Sequence, residues 1–98
     1  MTHRIAFKPA ARREYDDACD WHEEQTAGLG DRFEAAVTKA LDLIAQNPSL
    51  HPMIYRDIRA QKVEGFRYVI LFRVRKEIVT VIAVFHTSRD PRVWQRRV

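Results

Sequence analysis

Residues 66–91, FRYVILFRVRKEIVTVIAVFHTSRDP, decide the fold. Phe66, Tyr68, Ile70, Phe72 and Val74 alternate with Arg67, Val69, Leu71, Arg73 and Arg75. Two-residue periodicity in β-branched and aromatic residues is the mark of a strand. Arg75-Lys76-Glu77 supplies a tight charged turn, and residues 78–85 form a partner run broken only by Thr80. A strand apolar on both sides sits inside a sheet and is covered on both faces.

Upstream of this hairpin, residues 3–8 alternate weakly around Ile5 and Phe7 and predict a short first strand. Pro9 suits the first turn of a helix, where its missing N–H is not needed. Ala11, Tyr15, Ala18 and His22 then fall on one helical stripe to about Gln25, with Cys19 beside it and Trp21 at its edge. Gly28 and Gly30 mark a turn. Asp31 and Glu34 have capping-box spacing for a second helix, whose stripe is Phe33, Val37, Ala40, Leu41 and Ile44. That helix ends before Pro48. Residues 48–52 read as loop and residues 55–63 as an irregular extended segment anchored by Ile58 and Val63. Pro91 stops the last strand, and residues 91–97 predict a final helical turn in which Trp94 packs back on the body.

The order is strand, helix, helix, strand, strand, strand: an α+β fold with a two-helix hairpin on a small, mainly antiparallel sheet. Residues 1–98 contain no linker or repeat and form a single domain in this reading. The hairpin can cover one sheet face only. The other face, with Val69 and Leu71 between Arg67 and Arg73 (or the mirror assignment), is expected to stay open for a partner.

Bulk properties narrow the function. Apolar residues make up 46% of the 98, which fits a globular chain. One cysteine, Cys19, excludes an internal disulfide framework. No secretory signal or membrane-length apolar run is visible, so a cytoplasmic location is expected. Net charge is +4, with Arg89, Arg92, Arg96 and Arg97 crowding the C-terminus and Glu14, Asp16, Asp17, Asp20, Glu23 and Glu24 gathered earlier. This balance favours an acidic or polyanionic partner and serves solubility equally well.

Four scattered histidines and an incomplete His22-Glu23-Glu24 motif do not make a metal site, and no cofactor is expected. Nucleophile elbows and phosphate loops are missing. Metal-free RNA cleavage needs only an acid–base pair and fixed cations. Arg59, Lys62, Arg67, Arg73, His86 and Arg89 would supply them if they converge. The favoured reading of the same residues is a hydrogen-bonded strand terminus and ordinary rim charges. Arg92, Arg96 and Arg97 around Trp94 fit a nucleic-acid strand, or a tail anchored by its tryptophan.

Four segments together, DDACDWHEEQ, GLGDRFEAAVTKALDLIAQNP, FRYVILFRV and VIAVFHTSRDPRVWQRR, resemble the RelE/ParE superfamily of toxins from bacterial type II toxin–antitoxin systems over nearly the whole chain. The resemblance implies a helical hairpin on a small antiparallel sheet and a cognate antitoxin whose segment folds onto the toxin. RelE-like members cut mRNA on the ribosome; ParE-like members inhibit DNA gyrase. No tyrosine follows His86, and the FHTSRDPRVW ending resembles the ParE side. The resemblance therefore implies a gyrase inhibitor that forms a toxin–antitoxin hetero-oligomer, with Arg89, Arg92, Trp94, Arg96 and Arg97 meeting the target. Its alternatives are a ribosome-dependent endoribonuclease using the six catalytic candidates, and a non-toxic interaction module on the same fold. Val69, Leu71, Val79 and Val81, or their opposite-face neighbours, are expected to line the antitoxin groove, so that truncating Leu71 weakens antitoxin binding and leaves the isolated fold intact.

Overall fold

The computed structural model describes residues 3–98. Strand β1 (Arg4–Phe7) leads into helix α1 (Pro9–Gln25), and helix α2 (Leu29–Gln46) packs back against it. A 3-10 turn, Pro48–Leu50, precedes strands β2 (Met53–Tyr55), β3 (Ile58–Val63), β4 (Tyr68–Arg75) and β5 (Ile78–His86). Helix α3 (Arg92–Gln95) closes the chain. The sheet runs β1-β5-β4-β3-β2, with β1 parallel to β5 and every other pair antiparallel. This is the expected α+β fold with one further short strand. Arg56, at φ 53°, turns the extended segment back on itself and splits it into β2 and β3.

Local chemistry sets the helix ends. Pro9 occupies the first turn of α1, and the buried residues Ala11, Ala18 and His22 face the sheet. The predicted capping box does not form. Gly28, at φ 86°, precedes α2, and no side chain of its own helix caps it. Glu23 reaches over from α1 instead, accepting from Gly28 N–H at 2.9 Å and Gly30 N–H at 3.0 Å. Its carboxylate satisfies two orphan donors and complements the helix dipole. A Cβ on Gly30 would lie 2.8 Å from the Cys19 carbonyl oxygen, so glycine lets the two helices approach.

The main core lies between the helices and one sheet face. Phe33, Val37 and Ile44 of α2 meet Ile70 and Phe72 of β4 and Val79 and Val81 of β5. The opposite face is not open. Ile58, Leu71, Ile82, Ala83 and Phe85 form a second buried cluster, and Trp94 of α3 covers it. The C-terminal segment of the same chain clothes the face that the sequence left for a partner.

A bulge redistributes side chains on β5. Leu71 pairs with Ala83 and the next residue, Phe72, pairs with Val81, so Ile82 is the extra residue. An inserted residue switches the inside–outside alternation beyond it. Val79 and Val81 therefore belong to the helix-side core, while Ala83 and Phe85 face the tail.

Candidate functional site

The expected antitoxin-groove residues are divided between the faces. Val79 and Val81 are fully buried beneath the helices. Leu71, 1% exposed, lies in the cluster covered by Trp94, and Val69 is half-buried beside it. Truncating Leu71 would thus open a cavity in the isolated chain, against the expectation of an intact fold.

The C-terminal residues expected to meet a target have separate duties. Trp94 is 4% exposed and stands edge-on to Tyr55 at 5.6 Å. Arg97 donates to both carboxylate oxygens of Glu14 at 2.9 Å and to the Ile82 carbonyl at 3.1 Å. Glu14 also accepts from Val84 N–H at 3.2 Å and from Arg89 at 3.2 Å. Arg89 lies over the Phe85 ring at 4.4 Å. Trp94 and Arg97 accordingly hold the tail on the sheet. Arg92 chelates Asp90, with a shortest contact of 2.7 Å, and this hydrogen bonding holds the Asp90 carboxyl below the usual range. Arg92 and Arg96 join Arg56 and Tyr55 around an open concavity of about 370 Å³. This is the basic surface of the C-terminal segment.

The catalytic candidates do not converge. His86 pairs across the sheet with Tyr68, and their rings meet edge-on at 5.1 Å on the helix side. Its Nδ1 accepts from Ser88 N–H at 3.0 Å, which leaves the proton of the neutral ring on Nε2. Arg73 and Lys62 occupy tail-side positions, because they alternate with the helix-side residues Phe72 and Val63, while Arg67 lies in the turn before β4. Arg73 is also about 17 Å along β4 from Tyr68 by strand rise. It donates to Asp57 at 2.9 Å, and that hydrogen bond holds the Asp57 carboxyl low. Arg59 points to the helix side and donates to the Ser49 and His51 carbonyls. Only Arg89 shares a surface with His86. Burial raises the Tyr68 phenol, so it stays neutral beside them.

A cleft beside His86 was not among the sites expected from sequence. Trp21 of α1, Tyr68, His86, Arg89 and Asp17 surround a concavity of about 290 Å³. Trp21 is 55% exposed. Its place at the stripe edge was the visible signal; Glu14 carried none, because it looks like one more solvated acid on α1. Among the described residues no group of His, Cys, Asp and Glu side chains could hold a metal, and no helix is long and apolar enough to cross a membrane.

Comparison with known proteins places this arrangement. No curated protein matches the sequence. Among solved structures, one described as the chromosomal ParDE TA system from P. aeruginosa superposes with a TM-score of 0.70 at 14% identity, covering 89% of this chain and 98% of that one. At that identity the likeness is one of fold. A family model described as the ParE toxin of type II toxin-antitoxin system, parDE, matches residues 5–91, almost from the first strand to the end of the turn before α3. The chain therefore belongs to the ParE toxin family of type II toxin–antitoxin systems.

Proposed function

We propose that this chain acts as one toxin domain that inhibits DNA gyrase by binding it, and that a cognate antitoxin neutralises it in a hetero-oligomer in the cytoplasm. The observation that carries the reading is the separation of His86 from Arg73 and Lys62 by the thickness of the sheet. Fixed cations assist phosphate cleavage only when they surround the reacting atoms. These do not, whereas exposed arginines around an aromatic surface suit protein recognition. The surface of Arg56, Arg92 and Arg96 favours an acidic antitoxin segment that orders as it binds.

Induced expression without antitoxin should arrest growth with a DNA-damage response and intact mRNA. The purified chain should inhibit supercoiling by gyrase, and added antitoxin should restore it. Cuts within translated codons, mapped by primer extension, with unaffected supercoiling would refute the proposal in favour of ribonuclease action.

A further inference from the structure

The geometry points to the cleft between Trp21, Tyr68 and His86 as the docking point for a cationic side chain of the target protein, an arginine or lysine on an exposed segment. As a target contact it deepens the binding-toxin reading and rests on it. Trp21 is the strongest observation. A tryptophan 55% exposed on a helix leaves a large apolar face in water, and here that face borders a formed concavity of about 290 Å³. The wall is rigid. Trp21 stands edge-on to the buried His22 at 5.0 Å, and His22 stacks on Phe33 at 4.5 Å in the core. Interface hot spots are built from such aromatic groups on fixed supports.

Charge selects the occupant. Arg89 at the rim is paired with Glu14, which Arg97 also engages. Asp17 lines the same cleft and forms no ion pair among the described residues. Asp20 and Glu24, on the same helix one position before and three after Trp21, form none either. Glu14 is taken by Arg89 and Arg97, so Asp17 is the unpaired charged side chain on the cleft wall among the described residues. A guanidinium or ammonium group gains both the indole face and Asp17. The chain as a whole is +4, so an aromatic cleft whose unpaired charge is Asp17 stands apart from the basic C-terminal surface.

The test uses the whole chain and two capped hexapeptides, one alternating glycine with arginine and one glycine with glutamate. The arginine peptide should give a saturable shift of the Trp21 indole N–H signal in the NMR spectrum, and the glutamate peptide none. Asp17→Asn should weaken that binding about tenfold. An unmoved Trp21 signal, equal affinity for both peptides, or indifference to Asp17→Asn overturns the proposal. In a second arm, Trp21→Ala should inhibit gyrase at least about tenfold less well while still forming the antitoxin complex. Undiminished inhibition removes the cleft from the target contact. If the unaltered chain fails to inhibit gyrase, the proposed function falls and the peptide arm alone judges the cleft. Concentration-dependent change at Trp21 without peptide assigns the cleft to a second copy of this chain and overturns the choice of partner.

Discussion

Replacing Trp94 with alanine tests whether the tail is part of the folded core. A buried tryptophan removes about 150–250 Å² from water. At about 25 cal/mol/Å² this is worth about 4–6 kcal/mol. A compact unfolded chain already hides some of that area and lowers the figure by about 10–40%. The expected loss is therefore about 3–5 kcal/mol, as for other core tryptophan truncations. A domain of this size holds only about 5–15 kcal/mol in total. The assay is urea unfolding followed by circular dichroism. With a slope of about 1–3 kcal/mol/M, even a 3 kcal/mol loss moves the midpoint down by about 1–3 M. Hydrogen exchange on the same variant should show faster exchange in residues 92–98 and in the β4 and β5 strands beneath them. A loss below about 1 kcal/mol with unchanged exchange would mean that Leu71, Ile82 and Phe85 do not depend on Trp94, and the closed second face would have to be abandoned.

Glu23→Ala removes the carboxylate that accepts from Gly28 and Gly30. It should cost about 0.5–2 kcal/mol in chemical unfolding, the range for loss of a helix N-cap. Gly30→Ala places a methyl 2.8 Å from the Cys19 carbonyl and 2.9 Å from Glu23 Oε1, so about 1–3 kcal/mol should be lost as α1 and α2 move apart. Wild-type behaviour of that variant would show that the helices are not in close contact there. Tyr15 is pushed up to about 12, first by burial and then by its Cys19 and Glu34 neighbours. The folded chain thus keeps a proton that the unfolded chain releases near 10, and stability should fall as pH rises from about 10 to 12. Tyrosinate absorbance should show two phenols titrating above the ordinary range, Tyr15 and Tyr68, and Tyr15→Phe should remove one of them.

Local rules wrote most of this fold legibly. Pro9 and the Ala11–Ala18–His22 stripe placed α1, and Pro48 closed α2. Alternation in β4 put Ile70 and Phe72 on one face and Leu71 on the other, as the clusters show. Three features depended on contacts between distant residues. Glu23 caps a helix to which it does not belong. Arg56 adopts positive φ without the glycine that usually announces such a turn. The bulge at Ile82 breaks alternation in a run apolar on both faces, where no polar residue marks the change of side. That bulge separated Val79 and Val81 from Leu71 and dissolved the expected groove. In the candidate site, His86 and Arg89 were two of six residues whose convergence the sequence left open. Trp21 joined them only through packing, since it comes from a helix far away in the chain.

Glu14 explains why the tail and the sheet depend on each other. β1 pairs with β5 only from Ile78 to Val81, so the rest of β5 would otherwise present an open edge. Open edges invite pairing with other chains. Here Val84 N–H donates to Glu14, the Ile82 carbonyl accepts from Arg97, and the His86 carbonyl accepts from Arg89 N–H. Alternate residues along one strand edge are thereby occupied, two of them by a single ion pair joining α1 to the C-terminal tail. Removing the Arg97 guanidinium would free the Ile82 carbonyl, leave Glu14 with one cation fewer, and loosen the segment that carries Trp94. The network works as an edge guard and a tail latch at once, and strand addition along this stretch of β5 requires Glu14 and Arg97 to be displaced first.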